Sequence, residues 1–126
     1  MTLPVEQVEE RAAPEAGWRL AGEGDGDATM ALSGRLDALR ALPLRSELDD
    51  LVVGAAAYGC RVVVDLSDVV FVDSAALAAL VRLRRQCADA ALDLVLVKPR
   101  HLEALRIFRL TQFDEVFVML DSRPGC

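Results

Sequence analysis

The sequence is poor in the residues from which most catalytic and nucleic-acid sites are built. Among its 126 residues there is one histidine, there are three cysteines, and aromatic side chains make up 5%. So few rings leave little surface on which a nucleic-acid base could stack. The formal net charge of −6 offers no general basic face for phosphates. We therefore expect no nucleic-acid binding, and we expect the single histidine, His101, to be a surface residue.

Long apolar runs are missing as well. A transmembrane helix requires a stretch of about 18 apolar residues, and the sequence contains none. The first residues also lack the basic and apolar regions of a secretion signal. Cys60, Cys87 and Cys126 are irregularly spaced and form neither a disulfide framework nor a zinc pattern. We expect a cytoplasmic protein without membrane insertion. Cys60 and Cys87 are a candidate redox pair only if the fold brings them together.

Aliphatic residues are what the sequence has in abundance. Hydrophobic residues make up 53% of a chain whose length suits one domain. The acidic balance favours solubility and partners that present arginine or lysine. The composition thus indicates a small domain with an aliphatic core.

The order of apolar patterns predicts one α/β domain over residues 17–120, between a flexible arm at 1–16 and a flexible tail at 121–126. Two strands joined by a glycine- and aspartate-rich turn at 22–27 predict an N-terminal antiparallel hairpin. Alternating strands and helices follow, and the run at 61–66 is rich in β-branched residues, as in strands covered on both faces. The chain therefore predicts a mixed, largely parallel β-sheet flanked by α-helices.

Three local predictions concern individual elements. Pro43 suits the first turn of a helix whose apolar stripe starts at Leu44, because proline lacks an N–H donor. Residues 113–120 read as the final strand. Residues 101–110 read as a helix, with these positions facing inward: Leu102, Leu105 and Phe108.

The segment from Val72 to Leu77 joins an apolar strand to a helix that we expect over residues 74–89. Asp73 suits the N-cap position, since its carboxylate can accept from N–H groups of the first turn. Ser74 would then be the first helical residue, with its hydroxyl near the surface. The junction is interpreted either as a capped helix alone or as a corner that docks a partner or accepts a phosphate.

Other candidate chemistry is sparse. Asp65, Asp68 and Asp73 could gather at the carboxyl edge of a strand and bind Mg²⁺, although carboxylates at strand ends and caps are common. A basic cluster on the second helix is interpreted as a solvated face that could carry charge specificity for a protein partner: Arg82, Arg84 and Arg85. No nucleophile–base pair and no metal set can be named, so we expect neither an enzyme nor a cofactor.

Four segments together resemble the STAS domains of bacterial anti-sigma factor antagonists, over about residues 17–120. They are Leu32-Ser33-Gly34-Arg35-Leu36-Asp37, Val63-Val64-Asp65-Leu66-Ser67, Phe71-Val72-Asp73-Ser74 and Leu110-Thr111-Gln112-Phe113-Asp114-Glu115-Val116-Phe117. The resemblance implies a protein that binds an anti-sigma factor of the histidine-kinase-like serine kinase type and frees a sigma factor. It also implies a switch, in which the kinase phosphorylates a serine or threonine at the helix start.

The chain departs from the family pattern at that position. The family usually reads Asp-Ser-Ser/Thr-Gly-Leu, so the phosphorylated residue aligns with Ala75 and the glycine with Ala76. Ser74 is rotated by about 100° around the helix axis and is not an equivalent acceptor. Three readings follow: a constitutive antagonist, control by another route such as Cys60 or Cys87, or Ser74 as a less usual acceptor.

The expected contact surface is the start of the second helix with its exposed side. It comprises Asp73, Ser74, Ala75, Leu77, Ala78 and Val81. Alternatively, a protein with the same fold could be an accessory subunit of a lipid ABC transporter or a stress-signalling scaffold. We expect a monomer or a weak homodimer.

Overall fold

The computed structural model of the protein describes residues 27–123 in full and, for residues 16–21, the backbone. Most of the predicted arm, the turn residues 22–26 and the last three residues, including Cys126, lie outside the described residues. The strands are β1 Ala16–Ala21, β2 Asp27–Leu36, β3 Arg61–Val72, β4 Leu94–Val97 and β5 Met119–Leu120. The helices are α1 Ala38–Tyr58, α2 Ser74–Asp89, α3 Leu102–Leu110 and α4 Phe113–Val116.

The strands form one sheet in the order β1-β2-β3-β4-β5. β1 pairs antiparallel with β2, and the remaining neighbours pair parallel, which confirms the predicted mixed α/β fold. Because the spatial order equals the chain order, right-handed crossovers place the connecting helices on the same face of the sheet. The connection from β1 to β2 lies outside the described residues, so the predicted turn stays a prediction.

The run of β-branched residues in β3 is buried on both faces, as the sequence predicts. Val62, Val64 and Leu66 belong to the core cluster that also holds the inner faces of α1, α2 and α3. Val63 packs on the opposite face with residues of β4. Among the described residues, no helix has the length and apolar character needed to cross a membrane.

Helix α1 begins five residues before Pro43, so the prediction that proline occupies the first turn is wrong. Asp37, in an extended conformation, caps the helix by accepting from the N–H of Leu39 at 3.2 Å. Pro43 therefore lies inside the helix, where it cannot donate to the carbonyl of residue 39. The helix ends at Gly59, whose φ of 68° is a left-handed conformation that suits glycine.

The prediction of a strand over residues 113–120 is also wrong. Gln112 takes a left-handed conformation with φ 63°, after which α4 makes a single short turn. Phe113 and Phe117 then lie four residues apart with ring centroids 5.9 Å from each other, and Phe117 is buried. The aromatic spacing follows a helical period here, and the strand is only Met119–Leu120.

Helix α3 faces the core with a stripe different from the predicted one. Leu102 is 79% exposed, which contradicts its predicted inward position, and Leu105 is half-buried. Ala104 and Phe108, four residues apart, are both fully buried. In so short a helix, a small shift of the stripe is enough to bring the first leucine out into solvent.

Phe108 provides a test of this orientation. Replacing Phe108 by alanine should lower the free energy of unfolding by about 3–5 kcal/mol, because it leaves a cavity in the core. Leu102→Ala, in the same helix, should change it by less than about 0.5 kcal/mol. Urea denaturation followed by circular dichroism measures both. Equal losses in the two variants would contradict the assigned face.

Candidate functional site

The candidate site begins where β3 runs past its neighbour. β3 pairs with β4 only from Val62 to Asp65, but it continues beside β2 as far as Val72. At its end, the backbone N–H of Asp73 donates to the carbonyl oxygen of Leu36 at 3.1 Å. The ends of β2 and β3 are thereby joined, and α1 and α2 start from the same edge of the sheet.

Asp73 caps α2, as the sequence predicts. Its backbone is extended, and its Oδ1 accepts from the N–H of Ala76 at 3.0 Å. Ser74, the first residue of the helix, is exposed, and among the described residues its hydroxyl makes no hydrogen bond. The cap fixes the direction of α2 and leaves the Ser74 hydroxyl facing solvent.

The six residues expected to contact a partner do not all reach the surface. Ser74 and Ala78 are exposed, whereas Asp73, Ala75 and Val81 are half-buried. Leu77 is only 6% exposed and belongs to the main core cluster, so its expected place on the contact surface is wrong. Its side chain is long enough to reach inward from the flank of the buried stripe.

Ala76 occupies the position at which the resembled family has glycine. It is fully buried, so its methyl group packs into the core beneath α2 and does not stand on the surface. The replacement of glycine therefore leaves the outer side of α2 open to close approach.

The three carboxylates at the carboxyl edge of β3 have separate partners. Asp65 Oδ1 accepts from the N–H of Ser67 at 2.9 Å, and its Oδ2 accepts from Arg123 Nε at 2.6 Å. Asp68 pairs with Arg100, and Asp73 caps α2. Within the described part of the chain no group of three ligating side chains is suited to a metal ion. The Mg²⁺ interpretation therefore has no support at this edge.

Asp65 is the most buried of these acids, with 6% exposed. Burial alone would raise its pKa, but hydrogen bonds from Ser67 and Arg123, with the charge of Arg123, outweigh this and hold the pKa below its usual range. The carboxylate is charged at neutral pH. It ties the chain after β5 back onto the central strand.

The two described cysteines are free thiols. Cys87 is 1% exposed, and burial raises its pKa to about 11. Cys60 is half-buried against the core. Redox chemistry proceeds through the thiolate, which burial disfavours at Cys87. The structure thus gives no support to the candidate redox pair.

Helix α1 contributes a surface that the sequence analysis did not include. Residues 38–45 of α1 and residues 75–85 of α2 line a groove of about 570 Å³, which we term the α1–α2 groove. The part that α1 lines includes Leu42 and Arg45. Leu42 is 70% exposed and lies outside the buried stripe that starts at Leu44. An apolar residue off the stripe is a sequence signal that could have indicated this groove.

The three arginines of the basic cluster on α2 do not all lie in the same place. Arg82 pairs with Asp49 of α1, its Nη2 lying 3.2 Å from Oδ2, and lines the α1–α2 groove with Arg85. Arg84 is exposed and is absent from the groove lining. His101, the only histidine, is exposed at the start of α3 and makes no side-chain cap.

Comparison with known proteins identifies several with the same architecture. The family model described as "Mlab, STAS domain" matches residues 20–121. An anti-sigma factor antagonist from Mycobacterium paratuberculosis superposes with a TM-score of 0.71 at 22% identity, covering 88% of this chain and 91% of that one. No curated protein sequence matches the chain.

Two further solved structures are similar. The anti-sigma factor antagonist SpoIIAA in its unphosphorylated form gives a TM-score of 0.64 at 18% identity, covering 85% of this chain and 90% of that one. A Thermotoga maritima protein assigned as an anti-sigma factor antagonist gives 0.65 at 20% identity, covering 83% and 85%. At these identities the likeness establishes the fold.

The Asp65–Arg123 contact predicts a pH dependence of stability. Because the pKa of Asp65 in the folded state lies below the unfolded value of about 3.9, its charge stabilises the fold above that pH. The stabilisation is lost as the pH falls through the folded-state pKa. Asp65→Asn should lower the free energy of unfolding by roughly 1–2 kcal/mol at pH 7, a modest loss because solvent screens the half-exposed Arg123. It should also flatten the acid limb, which is the fall in the free energy of unfolding as the pH drops.

Asp68→Asn provides the matched control, because its pair with Arg100 is exposed and is expected to contribute less than about 0.5 kcal/mol. Urea midpoints between pH 3 and pH 7 measure both variants. An unchanged acid limb in Asp65→Asn would contradict the role given to this carboxylate.

Proposed function

Because the chain belongs to the STAS domain family, whose model matches residues 20–121, we propose that it is an anti-sigma factor antagonist. In this proposal it binds an anti-sigma factor of the histidine-kinase-like serine kinase type and so releases a sigma factor for transcription. It acts by binding and catalyses no reaction. The observation that carries the proposal is the capped start of α2, which holds Ser74 and Ala78 at the surface beside a buried core.

The physical character of this surface suits a protein partner. Ala78 is exposed and Ala75 half-buried, so small side chains cover the outer side of the first turns of α2. Short side chains allow another backbone to approach closely, and they lose little rotamer entropy on binding. The Asp73 cap keeps this part of the helix in one conformation before the partner arrives.

We further propose that regulation is atypical, because Ala75 lies where the family has its phosphoacceptor and alanine has no hydroxyl. Ser74 has the neighbouring hydroxyl, but it points about 100° around the helix from Ala75. A phosphate on Ser74 would also stand beside the carboxylate of Asp73, and like charges oppose each other. These arguments favour a constitutive antagonist over a switch moved to Ser74.

A second candidate function has one observation in its favour. The matching family model is described as "Mlab, STAS domain", and its description names no antagonist. The same surface would then serve an accessory subunit of a lipid ABC transporter or a stress-signalling scaffold. The identity of the partner separates these roles, since a transporter ATPase would replace the kinase-like factor.

The proposal is tested with the purified protein and the anti-sigma factor encoded nearest to it. Binding is measured by isothermal titration calorimetry, and the intact mass is recorded after incubation with and without ATP. We expect a stable complex and no gain of mass, because position 75 offers no acceptor oxygen. Ser74→Ala serves as the matched variant and should behave as the wild type does.

Two other results have defined meanings. A gain of one phosphate that Ser74→Ala abolishes would keep the antagonist role and contradict constitutive action. The absence of any complex, under reducing and oxidising conditions alike, would contradict the antagonist role and favour the transporter or scaffold candidate.

A substitution at Ala78 tests the position of the interface. Ala78→Arg should weaken the complex by about tenfold or more, because a long charged side chain would block close approach at the centre of the surface. Ala88→Arg makes the same change at an exposed position near the other end of α2 and should leave the affinity unchanged. Thermal denaturation verifies that both variants fold. Equal affinities for the two variants would remove this face of α2 from the interface.

A further inference from the structure

The α1–α2 groove lies between two helices that leave the same edge of the sheet. Its lining follows one face of each helix, from Ala38 to Arg45 on α1 and from Ala75 to Arg85 on α2. At 1.5 Å per residue, the longer of these spans is about 15 Å, or roughly three helical turns. The groove therefore has the length of a short helix laid against α1 and α2.

The groove is positively charged in a protein that is acidic overall. Three arginines line it, namely Arg45, Arg82 and Arg85, and no carboxylate does. Asp49 pairs with Arg82 and also lies within the electrostatic influence of Arg45. Arg85 makes no ion pair among the described residues. The lining itself thus carries three guanidinium groups, whereas the whole chain carries a net charge of −6.

The groove is also partly apolar. Leu42 is 70% exposed, and Val81 is half-buried on the opposite side. Leu39, three residues before Leu42 on the same helix, is 85% exposed. Exposed leucines that lie together beside a concave surface are typical of a surface that another chain covers.

We propose that the α1–α2 groove binds an acidic amphipathic helix of the anti-sigma factor, and this inference rests on the function proposed above. The apolar residues of that partner helix recur every three or four positions, and the face that they form packs on Leu42 and Val81. Its aspartate or glutamate side chains oppose Arg45 and Arg85. The surface used by the antagonist thus extends from the start of α2 across to α1.

Charge argues against a second copy of this chain as the occupant. In a two-fold symmetric dimer the same patch meets itself, so the arginines of one groove would face those of the other. Like charges placed opposite each other disfavour such an association. Complementary charge favours a partner segment rich in carboxylates.

Charge reversal within the groove tests the inference on the full chain. Arg45→Glu and Arg85→Glu should each weaken binding to the anti-sigma factor by about tenfold or more and reduce its dependence on salt. Arg84→Glu reverses a charge on the same helix outside the groove, and it should change the affinity by less than about twofold. All three side chains are exposed, so the variants should unfold at the wild-type temperature.

A second measurement locates the contact independently of charge. Hydrogen exchange of the complex should show slower exchange of backbone amides at the start of α1, over residues 38–45. In the anti-sigma factor, the helix that becomes protected in the complex is then changed by replacing one of its acidic residues with lysine. This replacement should restore binding to the Arg85→Glu variant. Restoration by one such reversal is expected only if the two side chains face each other.

The outcomes separate this inference from the proposed function. If the wild type binds but Arg45→Glu and Arg85→Glu bind equally tightly, the groove is not used and the antagonist role stands. If the wild type does not bind, the antagonist role fails, and this inference fails with it. Sedimentation of the chain alone completes the test: a dimer that Arg85→Glu dissociates would identify a second copy as the occupant and overturn the inference.

Discussion

The hydrogen bond from the backbone N–H of Asp73 to the carbonyl oxygen of Leu36 is the contact on which the functional edge of the molecule depends. It holds the last residues of β2 and β3 together beyond the point at which β4 has ended. A capped helix follows each of these strands at once, at Asp37 and at Asp73. Because the two strands are parallel and adjacent, the two helices start side by side. A groove between their first turns is a geometric result of that pairing.

The elements that sequence patterns predicted best are those dominated by one local signal. The β-branched run of β3 and the aspartate before α2 each point to one structure, and both are confirmed. Where two local signals compete, the prediction was wrong. At α1 the Asp37 cap prevailed over the preference of Pro43 for a first turn, and at the carboxyl end the helical spacing of Phe113 and Phe117 prevailed over a strand.

Other features depend on contacts between distant parts of the chain. Asp65 and Arg123 are 58 residues apart, and Arg82 and Asp49 are 33 apart, so no local window contains either pair. Hydrogen bonds from Gln86 and Arg82 hold the pKa of Asp49 below its usual range, which keeps that carboxylate charged between the two helices. The burial of Leu77 and the share of α1 in the candidate site likewise follow from tertiary packing. The sequence predicts the Asp73 cap and the start of α2, whereas the α1 side of the candidate site is evident only in the folded structure.

Pro43 has a consequence for how a partner would be accommodated. Because it cannot donate to the carbonyl of Leu39, the first turn of α1 is joined to the rest of the helix by one fewer backbone hydrogen bond. The segment before the proline carries Ala38 and Leu42, which line one side of the groove. Proline is a common site of helix bending, and a bend at this position would change the width of the groove. The α1 side of the groove is therefore the side with the weaker local backbone restraint, whereas the α2 side begins at the Asp73 cap.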